Sequence, residues 1–148
     1  MANHIRQQIR ERIATDLTGL TTTASRVYQS RVYPLAENNL PGLIIYTKEE
    51  SSVPMGMGAN RLLERLLVVR VQAFCEAVSN FDDTVDTICK EVETALANDK
   101  NLNNLAKDTF LSSTEIEFDS TGSQPVGYVS MEFTVNYETL DNSPDTAQ

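Results

Sequence analysis

The chain of 148 residues has one histidine, no tryptophan, two cysteines and no apolar stretch long enough to span a bilayer. Each shortage excludes a class of function. His4 lies near the N-terminus and is expected to face solvent, so a Ser-His-Asp or Cys-His nucleophilic site lacks a well-held base. One histidine with Cys75 and Cys89 cannot supply the four ligands of an ordinary zinc site. Both cysteines fall on apolar faces and read as buried free thiols of a reducing compartment. A membrane-spanning helix needs about 20 consecutive apolar residues, and none is found. The opening MANHIRQQIR is charged early and lacks the apolar core of a secretory signal, so a soluble protein made in the cytoplasm is expected.

Familiar catalytic and cofactor patterns are missing as well. The "MGMG" at 55–58 is neither a dinucleotide fingerprint nor a phosphate loop, since no Lys-Ser/Thr follows. Glu115 and Glu117 share one face of an alternating segment, but a glycosidase pair needs a cleft, and a solvated strand face is the plainer reading. Asp82, Asp83 and Asp86 lack the spacing of a calcium loop. The sequence therefore predicts no catalytic residue, no metal and no cofactor.

Basic charge is scarce, and unevenly so. The chain carries 12 basic and 21 acidic residues, a net charge of −9. Residues 101–148 hold eight of the acids and only one base, Lys107. Such a balance disfavours nucleic acid or an anionic membrane as the main partner. It marks Glu115, Glu117, Asp119 and Glu132 as a candidate acidic face, either solvated or used for docking.

What is present reads as α+β. Ile5, Ile9, Ile13 and Leu17 recur every four residues and predict an amphipathic helix over 3–17, with Asn3 as its N-cap and Gly19 as its stop. The triplet Arg-Val-Tyr occurs at 26–28 and again at 31–33. An odd offset puts the copies on opposite faces of a straight strand, so a bend, a bulge or two short elements are expected. Residues 36–42 are a turn region and 43–49 a strand. Residues 62–77 alternate as a long strand. A helix follows over 81–98, with Asn80 or Ser79 as cap and Asp82 and Asp83 at its positive end. "LNNLA" predicts one more helical turn. Two strands follow, 109–119 and 126–138, joined by a hairpin loop at 119–125. The first is expected to turn Phe110, Ile116 and Phe118 inward, the second Val129, Met131, Phe133, Val135 and Tyr137. From residue 139 a frayed polar tail is expected. The prediction is a single domain: a mainly antiparallel mixed sheet with two main helices on one face.

Between the strands lies "SSVPMGMGAN", residues 51–60. It has no charge, two methionines and two glycines, where loop tips usually carry polar residues. Residues 50–60 read as a mobile hairpin loop. Either the methionines are incidental, or another molecule covers them.

Several stretches carry a family resemblance: "RVYP" before "LPGLIIYT", the helix "DDTVDTICKEVETAL", and the closing "GYVSMEFTVNY". Over residues 3–138 the chain resembles the tail terminator (tail completion) proteins of long-tailed bacteriophages, the group that includes the minor tail protein U of phage lambda. The resemblance implies a non-enzymatic virion protein, assembled in the host cytoplasm. It implies a homohexameric ring at the head-proximal end of the tail tube that stops tube polymerisation and offers the surface for head joining. The implied partners are further copies of the chain, the tail tube protein and the head–tail connector, with DNA passing through unbound.

On that reading Val53, Pro54, Met55, Gly56, Met57 and Gly58 are candidate contacts to an adjacent subunit or the tube. Arg61, Arg65 and Arg70 are candidate partners for acidic neighbours. The acidic face would line the channel or meet a basic ring. Another head–tail connector or neck component, a tail tube subunit, and a small α+β enzyme or ligand-binding protein are the competing readings.

Overall fold

A computed structural model describes residues 3–29, 41–76, 80–119 and 126–148, with no side-chain detail for Phe118, Asp119 and Val126. The second Arg-Val-Tyr triplet, the turn region up to residue 40, Ser79 and the 120–125 loop lie outside the described residues. The elements run α1 (Ile5–Leu17), β1 (Val27–Tyr28), β2 (Gly42–Pro54), β3 (Leu62–Glu76), α2 (Phe81–Ala97), β4 (Asp108–Asp119), β5 (Val126–Leu140) and β6 (Ser143–Ala147). The strands form one sheet in the order β1-β2-β3-β5-β4, with β6 pairing β5. Only β1 pairs in parallel; every other pairing is antiparallel. The fold is α+β with a mixed, mainly antiparallel sheet.

Alternation along the strands builds the core. Leu43 and Ile45 of β2, Leu67, Val69, Val71, Ala73 and Cys75 of β3, and Val129 to Tyr137 at every second position of β5 share one face and are buried. The stripes of the two helices pack on it: Ile5, Ile9, Ile13 and Leu17 from α1, Phe81, Val85, Ile88, Cys89, Val92 and Leu96 from α2. Both cysteines are free, and burial pushes each thiol up to about 11. Gly127 lets α2 come close: a Cβ there would stand 2.2 Å from the Phe81 ring.

The helix ends differ in detail from expectation. The N-cap of α1 is His4, not Asn3; its Nδ1 accepts the Arg6 amide at 3.0 Å. Burial, then Arg6 and Arg65, lower its pKa, so His4 works as a neutral acceptor and not as a free surface group. Gly19, just past the end of α1, takes a positive φ of 92°. Asn80 caps α2 by position, without a side-chain bond. Near the ends of α1 and α2, Arg12 Nε reaches Asp99 at 2.8 Å and Asp16 at 3.5 Å. Burial, then Asp99, raises Asp16 to about 7, while the hydrogen bond from Asp16 holds Asp99 below the usual carboxylate range.

Four expectations are corrected. "LNNLA" is not a helical turn: Leu102, Asn103 and Asn104 all have positive φ, a left-handed reversal that Asn accepts readily and that puts Leu102 into the core. Phe110 does not point inward and is 49% exposed, while Ile116 stands opposite core Val129 as expected but is 51% exposed on the edge strand. The pairing shifts register between Leu111 and Ser113, and such a bulge exchanges faces along the strand. Thr109 and Leu111 therefore face the core opposite Val135 and Phe133, while Phe110 lies opposite Thr134 on the far face.

The third correction is the tail. Residues 143–147 form β6, and Gln148 N donates to Glu138 O at 2.9 Å. Asp141-Asn142 makes the two-residue connection, both residue types common in turns. Lastly, β2 continues through Ser51, Ser52, Val53 and Pro54, which pair with Leu66 to Leu63. The loop is only Met55–Arg61.

Candidate assembly surfaces

The helices cover one face of the sheet; among the described residues no helix lies on the other, here called the open face, although Ile44 on that side is buried. The candidate residues divide among three places: the hairpin tip, the covered face and the open face.

The tip is carried out by the paired ends of β2 and β3. Met55 N donates to Leu62 O at 2.7 Å and closes the hairpin. Gly58 has φ +117°, which a side chain would resist, whereas a Cβ at Gly56 would meet nothing within 4 Å. Arg61 Nε donates to Gly58 O at 3.2 Å and braces the loop from its far side. Val53 and Met55 are more than half exposed and Met57 is 96% exposed. An apolar side chain in that state gains nothing from its own chain.

The three arginines do not act together. Arg61 is exposed at the tip. Arg65 and Arg70 are five apart on β3, an odd offset, so they stand on opposite faces. Arg65 is buried on the covered face: its Nη1 lies 3.1 Å from Glu50 Oε2, its Nε donates to Thr139 Oγ1 at 3.0 Å, and its guanidinium sits 5.9 Å over the Tyr137 ring. Glu50 also takes Arg6 Nη1 at 2.9 Å and the Tyr137 hydroxyl. Burial, then Glu50, raises the Tyr137 pKa. Arg65 thus ties β3 to α1, β2 and β5, and offers no charge to a neighbour.

On the open face Arg70 and Glu132, expected in separate surfaces, pair with each other. Arg70 Nε donates to Glu132 at 3.2 Å and Nη1 to the Tyr46 hydroxyl at 3.1 Å. Lys48 Nζ adds a contact to Glu132 at 3.0 Å. Arg70 first, then Lys48, hold the Glu132 carboxyl below its ordinary range. Glu115 and Glu117 lie exposed on the same face, opposite Ser130 and Tyr128, and the Tyr128 hydroxyl donates to Glu117. The Asp119 side chain lies outside the described residues. The remaining free negative charge of the candidate set is therefore at Glu115 and Glu117.

Two openings of about 360 Å³ each are a hollow between residues 19–21 and α2, and a shallow one around Leu66 and Val68. In the first, Glu91 is occupied by the Thr22 amide and hydroxyl at 2.9 and 2.6 Å. Among the described residues no group of His, Cys, Asp and Glu could hold a metal ion, and no helix is long and apolar enough to cross a membrane.

A family model described as phage minor tail protein U matches residues 4–137. The chain belongs to that family. No curated protein matches it. Membership in the minor tail protein U family makes this a structural protein of the phage tail, a virion component that assembles with other virion proteins. The match begins at the His4 cap and ends at Tyr137, the last core residue of β5, so it spans the helix-covered sheet and stops short of β6.

Proposed function

We propose that this minor tail protein U family member is a tail terminator. Copies of the chain form a ring of six at the head-proximal end of the tail tube, end its polymerisation and present the surface to which the filled head is joined. The observation that carries the reading is the tip: an uncharged Met-Gly hairpin end, held out on paired strands, in a chain of a tail protein family. A tube end must be recognised by something that adapts to an existing surface, and methionine does so well. Val53, Pro54, Met55, Gly56, Met57, Gly58 and Arg61 are the proposed contact residues. Arg65 and Arg70 serve within the chain.

Glu115 and Glu117, with Asp119 at the end of the same strand, form the proposed channel or docking face. A negative wall repels passing DNA and keeps it from binding. The fold supplies support for a tube-end cap, because the acidic strand is an edge and the tip is at an end of the same sheet.

The test is tail length by electron microscopy in a lysate lacking this gene. Abnormally long, headless tails are expected. Tails of normal length beside filled, unattached heads would move the protein to another joining position in the neck.

A further inference from the structure

We propose that Met55 and Met57 are the oxidation site of this chain: a peroxide converts their thioethers to sulfoxides ahead of either thiol, and the tip then loses its docking surface. The consequence for docking rests on the tip reading above; the order of reaction does not.

The chain holds its sulfur in four methionines, Met1, Met55, Met57 and Met131, and in two cysteines. Met1 lies outside the described residues. The others divide into two groups. Met131, Cys75 and Cys89 are buried in the core beneath the helices. Met57 is exposed over almost its whole surface and Met55 over about half. Between them, a Cβ added at Gly56 would meet nothing within 4 Å, so a reagent approaches through open space.

In an unfolded chain the thiols react first, because a thiolate is a far better nucleophile than a thioether. Folding reverses that order. Burial pushes both thiols up to about 11, so at neutral pH almost none is thiolate, and the fold shields both from solvent. A thioether has no proton to lose, and access alone sets its rate. The tip sulfurs therefore react first, Met57 ahead of Met55.

The step is a two-electron oxygen transfer. A sulfur lone pair attacks one peroxide oxygen, the O–O bond breaks and an S–O bond forms. The other oxygen leaves as water with both protons; sulfur is oxidised and the peroxide reduced. The sulfoxide oxygen is a hydrogen-bond acceptor, and covering it with a partner that offers no donor is unfavourable. An apolar, adaptable tip becomes a polar one while the core is untouched. A dithiol-dependent reductase reverses the change: the dithiol becomes a disulfide and the oxygen leaves as water.

The full-length chain is treated with dilute hydrogen peroxide, sampled over time, denatured with its thiols capped, and cleaved after Lys and Arg. Fragment 49–61 carries Met55 and Met57, fragment 71–90 both cysteines, and fragment 108–148 Met131. Mass spectrometry is expected to show fragment 49–61 gaining one oxygen and then two, at least about tenfold faster than either other fragment changes. Oxidation of fragment 71–90 or 108–148 at a comparable rate overturns the inference. The same samples are added to an extract lacking the gene. The yield of joined, normal-length tails is expected to fall at least about fivefold on oxidation, and to return after reductase treatment. Full yield from the oxidised chain overturns the inference. In a Met55→Leu, Met57→Leu chain, peroxide is expected to leave that variant's own yield unchanged, and a further fall overturns the assignment to the tip. Failure of the untreated native chain to restore tails rejects the terminator reading and with it the effect on assembly, and the fragment order still decides the chemistry.

Discussion

Two ionic clusters occupy opposite faces of the same sheet and are built from the same parts. On the covered face, Arg65 and Arg6 meet Glu50 and the Tyr137 hydroxyl; on the open face, Arg70 and Lys48 meet Glu132, with Tyr46 beside Arg70. What differs is water. At the centre of each cluster, the side chains of Glu50 and Arg65 are 9% and 11% exposed and those of Glu132 and Arg70 20% and 25%, while the outer cations Arg6 and Lys48 are alike at 41% and 37%. Removing one partner from the first strands a charge where solvent cannot reach it; removing one from the second lets water in. The same chemistry is structural on one face and a tunable surface on the other.

The largest effect should come from breaking the covered cluster. Glu50→Gln is expected to lower the unfolding free energy by about 3–5 kcal/mol, because Arg65 then stays buried without its carboxylate. Urea denaturation measures it, and a loss below 1 kcal/mol would place Arg65 in effective contact with water. Next comes close packing on the same face. Gly127→Ala forces a methyl into the Phe81 ring and should cost about 1–3 kcal/mol. A smaller ring sharpens the reading: Phe81→Leu in the same chain should recover part of the loss.

A pH effect tests burial from another side. Asp16 titrates at about 7 in the folded chain, above its unfolded value near 4. The folded state thus holds an extra proton between these values, so this group's stabilisation is full below pH 4 and lost as pH rises through 7. Asp99, held low, acts in the opposite sense, and its contribution is lost only as pH falls through its depressed value. Asp16→Asn should remove the fall in melting temperature between pH 5 and 8. An unchanged slope would assign it to other groups.

The open face should respond least. Glu132→Gln is expected to cost at most about 1 kcal/mol, the range of solvent-accessible ion pairs. Smallest of all is the tip: Met57→Ser should leave stability within about 0.5 kcal/mol while reducing incorporation into tails. Equal incorporation would remove the methionines from the docking argument.

Much of the fold was legible in the chain. The four-residue isoleucine spacing marked α1, the apolar stripe from Phe81 to Leu96 marked α2, and alternation assigned the apolar core positions of β5 from Val129 to Tyr137 but not buried Thr139. The errors have specific causes. One bulged residue in β4 put Phe110 on the far face, and Ile116, read correctly as to face, stays half exposed because β4 is at the sheet edge. The tail was judged by polarity, although Asp141 and Asn142 are turn-prone residues and Pro144 is compatible with an edge strand. The tip was drawn too long because Ser51, Ser52 and Pro54 look like loop residues, yet continue pairing with β3. His4 looked idle because a terminal histidine has no sequence mark of capping.

Composition and spacing alone determine that this chain makes two amphipathic helices and alternating strands, and that its two thiols fall on core faces. Those are local properties, written in period and residue type. Tertiary structure alone decides which arginine is buried and which glutamate keeps a free charge. Each depends on strand register and on which residues stand opposite one another. A single bulge moves a side chain from the dry face of a sheet to the wet one, and with it the energy of every pair it makes.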